Sequence, residues 1–254
     1  LVPVATVGKG AAAVRGAFEA LAKDGPAIGI GDAISDDHLR VLGEAFAGQP
    51  LLTGGSGIAL GLPANFRRQG LLRPADTART FAAPAGLGAI LAGSCSAATR
   101  GQVEDAREKG VPAFALDPAA IAEGRLGAED VLAWARPKLA AGPVLVYSTA
   151  EPDAVRAVQE RFGRDEAGAM IERLLGVVAR GLAAAGVKRL VVAGGETSGA
   201  VVGALGIAML EIGPEIDPGV PWTLAADGEP MALALKSGNF GTRDFFTKAL
   251  AMLG

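Results

Sequence analysis

Val191–Ala200, with the sequence VVAGGETSGA, is the segment around which this chain is organised. A β-branched apolar run ends at the pair Gly194-Gly195, and hydroxyl side chains then open a segment of small residues. This order predicts a strand, a tight turn and the first turn of a helix. Such a turn leaves backbone N–H groups without intrahelical partners, and the helix dipole favours a negative charge beside them. The segment therefore predicts an anion site.

Two further segments show the same order of residues. They are Leu91–Ser96, LAGSCS, and Leu235–Gly241, LKSGNFG. Small hydroxyl side chains add hydrogen-bond donors without blocking a phosphate, and glycine permits close approach. We interpret the three turns as one phosphate or nucleotide site. Its candidate contact residues are Ser94, Ser96, Gly194, Gly195, Glu196, Thr197, Ser198, Lys236, Gly238 and Asn239.

Each turn also has a plainer explanation, and the sequence leaves both open. A serine before a helix is an ordinary cap, and a carboxylate such as Glu196 stabilises the helix dipole in the first turn. In the functional interpretation, Glu196 positions Mg²⁺ through water or accepts a hydrogen bond from a ribose hydroxyl. Lys236 either ends a strand in a simple turn or meets a phosphate.

The composition limits the class of protein. The chain has 254 residues, half of them hydrophobic, and carries a net charge of −3, which argues against a nucleic-acid-binding surface. One cysteine excludes an intramolecular disulfide and fits a reducing cytoplasm. We find neither a signal peptide nor an apolar run near the roughly 18 residues that span a bilayer. The first residue is Leu1 rather than Met and lies in an apolar run, which indicates either a piece of a longer protein or the removal of a few leader residues.

Several site classes lack their motif. The chain contains no G-x-x-x-x-G-K-[ST] phosphate loop, and no G-x-G-x-x-G follows a strand with an acidic partner downstream. One histidine and one cysteine cannot build a structural zinc site. We therefore expect no protein-held metal, and we expect Mg²⁺ to arrive with a nucleotide.

The sequence pattern of residues 1–75 predicts a small first α/β unit. Ser35 offers an N-cap, and Gly25 and Gly48 mark helix ends. The predicted strands are Leu1–Val7, Ala27–Ile30, taken as buried, and one within Gln49–Gly57 that ends in a glycine-rich turn. The predicted helices are Ala11–Lys23, one from the Ser35 cap through Leu39 and Ala45 to a stop at Gly48, and part of Ile58–Phe66. Residues 67–86 lack periodicity and predict a boundary segment.

From Gly88 onward, strands alternate with helices, which predicts a mostly parallel sheet covered by helices. The predicted strands are Ala89–Ala92, Pro112–Leu116, Pro143–Ser148, Leu190–Ala193, Ala208–Ile212 and Met231–Leu235. The predicted helices are Ala97–Lys109, Ala128–Leu139, one beginning near Pro152, Asp165–Ala185, Thr197–Ala204 and one from a Thr242 cap to Met252. We expect an α/β protein with this sheet in residues 76–254.

Five motifs are spread along the chain. They are TGGSGIALGLP at Thr53–Pro63, GSCS at Gly93–Ser96 with Thr99 and Gln102, GGETSG at Gly194–Gly199, GPEIDPGVPW at Gly213–Trp222, and KSGNFG at Lys236–Gly241 with Asp244–Phe246. The last four closely resemble the four-carbon acid sugar kinase family. The first resembles the family's 3-oxo-tetronate kinase branch.

The resemblance implies a kinase with an N-terminal acid-sugar-binding domain and a C-terminal ATP-binding domain. Residues 1–75 would be the end of the first domain, with Gly54, Gly55 and Ser56 at the substrate, and residues 76–254 the second. It implies ATP and Mg²⁺ as cofactors, a small acid sugar as substrate, and transfer of the γ-phosphoryl group to a C4 hydroxyl. The family's Asp-rich N-terminal motif has no counterpart here, so no catalytic residue is assigned. We also expect a cytoplasmic protein that forms a homodimer.

Two other classes of function stay open. The turns of a non-catalytic nucleotide-binding or interaction module would show the same glycine and hydroxyl pattern. An oxidoreductase that uses a dinucleotide would also place glycine-rich turns after parallel strands. Preference for ATP over NAD(P)H separates the kinase from the oxidoreductase. Calorimetry with Mg-ATP tests the module, because no binding at millimolar ATP would count against a nucleotide site.

Overall fold

A computed structural model describes residues 1–72, 82–148 and 163–253 of the chain. The chain divides into two compact units, Leu1–Thr77 and Ala78–Gly254. We describe each unit by itself. The predicted domain boundary and the helix start predicted at Pro152 lie outside the described residues. No helix in the described ranges has both the length and the apolar character needed to cross a membrane.

Unit 1 is built from short helices around a small apolar core. The helices are α1 (Val4–Val7), α2 (Ala11–Leu21), α3 (Asp36–Ala45), a 3₁₀ helix (Ser56–Gly61) and α4 (Leu62–Arg68). The predicted cap is confirmed, because the Ser35 hydroxyl accepts a hydrogen bond from the His38 N–H at the start of α3. Buried side chains from α1, α2 and α3, among them Val7, Val14 and Leu42, pack together.

The three strands predicted in unit 1 are wrong. Most of the first is α1, and Val2 contributes only an isolated parallel bridge to Gly31. The segment predicted as a buried strand leaves Ile28 97% exposed. A strand needs a partner for its backbone groups, and beyond that bridge the described residues of this unit offer none. The apolar residues on which the strand predictions rested do not by themselves provide a hydrogen-bonded partner strand.

Helix α3 meets the 3₁₀ helix at a pair of glycines. A Cβ added to Gly43 would overlap the backbone of Gly61, whose carbonyl carbon would lie 2.7 Å away. The buried Asn65 side chain braces the same place by donating to the Gly43 carbonyl at 2.7 Å. Neither backbone can move without disturbing the other.

We expect Gly43→Ala to destabilise unit 1 by roughly 1–3 kcal/mol, the usual cost of overpacking. Amide hydrogen exchange on the whole chain should show faster exchange in α3. Gly16→Ala, in α2 with open space around it, is the control and should slow amide exchange in α2 slightly. Unchanged exchange in Gly43→Ala would contradict the close packing.

Unit 2 contains a seven-stranded sheet. Its strands are β1 (Leu87–Ala92), β2 (Ala113–Ala115), β3 (Val144–Tyr147), β4 (Val187–Ala193), β5 (Leu210–Asp217), β6 (Val220–Ala225) and β7 (Ala232–Lys236). The spatial order is β2-β3-β1-β4-β7-β6-β5. The first five strands in this order are parallel, and β6 and β5 continue the sheet antiparallel. The predicted α/β class with a mostly parallel, helix-covered sheet is confirmed.

Helices cover both faces of this sheet. They are α5 (Ala97–Glu108), α6 (Pro118–Ala122), α7 (Ala128–Leu139), α8 (Arg164–Ala184), α9 (Gly195–Leu205) and α10 (Phe245–Met252). Successive residues of β1 point to opposite faces: Leu91 packs with residues of α7 and α8, whereas Ile90 packs with residues of α5 and α10. Both faces are buried under helices, which explains why the central strands consist almost entirely of Ala, Val, Leu and Ile.

Two predictions in unit 2 need correction. Strand β6 is absent from the predicted strands, and its Pro221 pairs with Glu215 at a shift in register that tolerates a missing N–H donor. Thr242 does not cap the last helix, which begins at Phe245 after Asp244. The Thr242 hydroxyl is instead bonded to the Asp217 and Asp244 carboxylates.

Candidate functional site

Three turns meet where neighbouring parallel strands end. Strands β1, β4 and β7 lie side by side, with Ala92 level with Ala193 and Ala193 level with Lys236. The turns that follow them are tied together by backbone bonds. The N–H of Ser94 donates to the Ala193 carbonyl at 3.2 Å, and the N–H of Gly194 donates to the Lys236 carbonyl at 2.9 Å. The three predicted turns are thus one continuous structure.

Glycine is required at the centre of this structure. Gly194 has a φ of +127°, and a Cβ there would lie 2.9 Å from Thr197 Oγ1 and 3.3 Å from the Ser94 nitrogen. A Cβ at Gly93 would overlap the same Thr197 hydroxyl. Thr197 itself is only 4% exposed. The turns after β1 and β4 are therefore packed through a single threonine side chain in the first turn of α9.

The turn after β7 is held against the start of α5. The Gly238 carbonyl accepts hydrogen bonds from Ser96 Oγ at 2.5 Å and Thr99 Oγ1 at 3.0 Å. A Cβ at Gly238 would lie 2.5 Å from Ser94 Oγ. Ser96 also caps α5 by accepting from the Thr99 N–H. Ser94, Ser96 and Gly238 therefore come together, and the plain capping role of Ser96 coexists with a contact across the site.

Lys236 is buried beneath this turn, with 1% of its surface exposed. Its ammonium donates to Thr99 Oγ1 at 3.0 Å, to the Ser237 carbonyl at 3.1 Å and to the Gly238 carbonyl at 2.9 Å. An ammonium has three N–H donors, so these contacts use all of them. Burial lowers the pKa of Lys236 from 10.5 to about 8. The sequence predicted the cation at this strand end but not its inward direction.

The remaining candidate residues lie around the rim. Gly195, Glu196 and Asn239 are exposed, whereas the Ser198 hydroxyl is enclosed and has no hydrogen-bond partner among the described residues. Burial, the nearby charge of Glu196 and a hydrogen bond with its carboxyl group together raise the pKa of Glu172 in α8. The sequence offered no signal for Glu172, because its approach to Glu196 depends on how α8 and α9 pack.

A carboxylate network supports the far side of the turn after β7. The buried Asp217 accepts from the Thr242 N–H at 2.9 Å and from Lys248 Nζ at 2.5 Å. Burial alone would raise the pKa of Asp217, but the hydrogen bonds from Lys248 and Thr242 outweigh it and hold the pKa below its usual value.

In the described part of the chain, His, Cys, Asp and Glu form no group of three that could hold a metal ion.

The predicted substrate contacts lie in unit 1. Gly54 and Gly55 are among the residues that line an open cavity of about 770 Å³, together with apolar side chains such as Phe18 and Leu42. Ser56 begins the 3₁₀ helix and does not line that cavity. The structure therefore brings two of the three residues to one concave surface.

Models of known families match both units. The model described as a nucleotide-binding C-terminal domain matches residues 89–246, which include all three turns. The model described as a sugar-binding N-terminal domain matches residues 1–62. This chain belongs to the four-carbon acid sugar kinase family. The predicted resemblance is confirmed.

Relatives match nearly the whole of this chain. A curated 3-oxo-tetronate kinase of Pseudomonas fluorescens is 53% identical over 248 residues, 98% of this chain and 57% of that protein. A Salmonella typhimurium protein of known structure is 37% identical, with a TM-score of 0.75, over 100% of this chain and 59% of its own. A Haemophilus influenzae structure is 39% identical, with a TM-score of 0.70, over 99% of this chain and 60% of its own. The chain thus spans somewhat more than half the length of these relatives.

Proposed function

We propose that this chain takes part in ATP-dependent phosphorylation of a four-carbon acid sugar, as a 3-oxo-tetronate 4-kinase, and that it supplies mainly the ATP-binding half. The observation that carries the proposal is the convergence of three glycine- and hydroxyl-rich turns at adjacent strand ends. Two of these turns open helices, so N–H groups and helix dipoles favour a polyanion there. The family relationship also supports ATP as the phosphoryl donor.

In this proposal the nucleotide phosphates lie over the turns. Phosphoryl transfer depends on positioning and charge neutralisation, which backbone N–H groups and hydroxyls at fixed places provide. Lys236 contributes charge from below the turn, since its three donors are used within the protein. The remaining contacts come from Ser94, Ser96, Gly194, Gly195, Glu196, Thr197, Ser198, Gly238 and Asn239.

Mg²⁺ would enter this site with the nucleotide. It usually keeps several waters and takes one or two carboxylates together with phosphate oxygens. The exposed Glu196 and its neighbour Glu172 offer such a pair. Burial and the charge of Glu196 raise the pKa of Glu172, and a bound cation would offset that negative charge. When bound, Mg²⁺ would neutralise charge on the phosphates. Glu196 is the residue that would hold it, through water.

Residues 1–75 are proposed to belong to the acid-sugar domain and residues 76–254 to the ATP domain. Gly54, Gly55 and Ser56 would contact the substrate. Glycine lets a sugar hydroxyl or carboxylate approach the backbone closely, and a serine hydroxyl adds a donor. A homodimer and a cytoplasmic location stay predictions, and sedimentation velocity of the purified chain tests the first.

Calorimetry with Mg-ATP tests the proposal. We expect this chain to bind Mg-ATP with a Kd below about 1 mM and to bind NADH at least tenfold more weakly. No heat of binding at millimolar Mg-ATP would overturn the proposal, and a preference for NADH would favour the oxidoreductase. ADP release is then followed with a 3-oxo-tetronate present. Binding without turnover would leave the chain a nucleotide-binding module.

A further inference from the structure

One face of α5 is bonded to the loop after β7. Ser96, Thr99 and Gln102 are spaced by three residues, which places them on the same side of a helix. All three donate to carbonyl oxygens between residues 238 and 242. The face would be expected to carry apolar side chains, because α5 packs on the sheet. Instead it carries donors aimed at one loop.

Gln102 makes the largest number of these contacts. Its Nε2 carries two N–H groups, which are shared among the carbonyls of Phe240 at 3.0 Å, Gly241 at 3.1 Å and Thr242 at 3.0 Å, and the residue is 1% exposed. Its Oε1 is buried and has no partner among the described residues. Turning the amide over would set Oε1 against three carbonyl oxygens, so the observed orientation is the only favourable one. An unpaired buried oxygen costs free energy, and only the loop contacts offset it.

The inward carbonyls determine where the loop's N–H groups point. No peptide bond in the described residues is cis, and in a trans peptide the C=O and the following N–H point in opposite directions. Lys236, Ser96 and Thr99 hold the carbonyls of Ser237 and Gly238, which turns the N–H groups of Gly238 and Asn239 away from α5.

Gln102 does the same for the peptide between Phe240 and Gly241, whereas the next N–H, that of Thr242, donates to Asp217. By holding the Phe240 carbonyl it turns the Gly241 N–H outward. The N–H groups of Gly238, Asn239 and Gly241 have no acceptor in the described part of the chain. A row of N–H groups without acceptors is an arrangement that binds anions. The loop therefore presents N–H donors on its outer side, and the hydrogen bonds to its inward carbonyls fix their direction.

We propose that Gln102 is a positioning residue for nucleotide binding, which holds the loop from Phe240 to Thr242 and with it the outward Gly241 N–H, without touching the ligand. This inference rests on the proposed function, because it takes the nucleotide phosphates as the anion. Gln102 acts on the loop through three carbonyls, so its loss should change affinity for phosphates more than it changes folding.

Gln102→Met tests the inference in the whole chain. Methionine has a similar length and no donors, and it also removes the unpaired Oε1. We expect the Kd for Mg-ATP, measured by calorimetry, to rise about tenfold while the melting temperature stays equal or rises. Hydrogen exchange should be faster at the N–H groups of Phe240 and Thr242, which are hydrogen-bonded to Ser237 and Asp217 in the wild-type loop. Gly101→Ala, one residue away on α5 with open space around it, is the control and should leave the Kd unchanged.

Gln102→Glu gives a signature that a purely structural role would not produce. The introduced carboxylate would face three carbonyl oxygens and repel them, whereas its protonated form can donate one hydrogen bond. We expect the affinity for Mg-ATP, relative to the wild-type chain at the same pH, to recover as the pH falls from 8 to 6. This comparison decides the question even if Gln102→Met fails to fold.

The outcomes separate the two proposals. A wild-type chain that does not bind Mg-ATP overturns the proposed function and this inference with it. A wild-type chain that binds, together with a Gln102→Met variant of equal Kd, overturns the inference alone. A weaker Kd in Gln102→Met that merely follows a fall in melting temperature, with no pH-dependent recovery in Gln102→Glu, also overturns it.

Discussion

Gly238→Ala is expected to abolish detectable Mg-ATP binding. The added methyl group would lie 2.5 Å from Ser94 Oγ, 3.1 Å from Ser96 Oγ and 3.2 Å from Ser96 Cβ. Ser94 Oγ can turn away only by giving up the hydrogen bond that it accepts from the Ser96 N–H, and Ser96 can move only by giving up its cap on α5 and its bond to the Gly238 carbonyl. The turns after β1 and β7 would separate, and the proposed phosphate site would lose its shape. We expect affinity to fall at least about a hundredfold, or ~2.7 kcal/mol.

Gly203→Ala is the matched control for this substitution. Gly203 is exposed in the interior of α9, and a Cβ there meets no atom within 4 Å. The change should raise stability by about 0.5–1 kcal/mol through helix propensity and leave the Kd unchanged. Calorimetry and thermal melts on the same preparations compare the two variants. Normal Mg-ATP affinity in Gly238→Ala would show that the contact between these turns is dispensable.

Lys236→Met should remove a pH dependence of stability. The pKa of Lys236 is lowered by burial from 10.5 to about 8. Between these values the unfolded chain binds more protons at this side chain than the folded chain does, so the free energy of unfolding rises with pH. The slope for one proton is at most about 1.4 kcal/mol per pH unit. The difference between wild-type and variant urea midpoints from pH 7 to 10.5 isolates this slope from other groups.

The same variant should bind Mg-ATP more weakly. Methionine removes the charge beneath the turn and the donors to the Ser237 and Gly238 carbonyls. We expect the Kd at pH 7 to rise about tenfold or more, whereas folding is no less stable because a buried charge without a carboxylate partner has been removed. Asp105 pairs with the exposed Lys109, so Lys109→Met is the control and should change neither quantity strongly. Parallel stability slopes for Lys236→Met and wild type would contradict the assignment.

The positions of the three turns could be predicted because each depends on a local pattern. A β-branched or apolar run followed by glycine and a hydroxyl gives a strand end, and parallel strands bring such ends to one edge. Ser94, Gly194 and Gly238 were therefore named from the sequence, and they lie together. The helix spacing of Ser96, Thr99 and Gln102 was also visible in the sequence, although its partner loop was not.

What could not be predicted depends on contacts between distant residues. The inward direction of Lys236 follows from the donors and acceptors that α5 and the loop happen to offer, 137 residues away in the case of Thr99. The approach of Glu172 to Glu196 follows from helix packing. Strand β6 depends on antiparallel pairing with β5 and β7, which no local pattern shows. The strands of unit 1 were predicted from apolar residues without a partner strand.

The Gly238 carbonyl accepts from three donors, Ser96, Thr99 and Lys236. This arrangement carries redundancy: losing one donor leaves two others on the same oxygen. Groups that share an acceptor do not act additively, so the effect of one hydroxyl hides behind its neighbours and emerges when two are lost together. A survey of single substitutions would therefore understate what the Ser96 and Thr99 hydroxyls contribute at this oxygen, while the glycine they secure would be intolerant of any change.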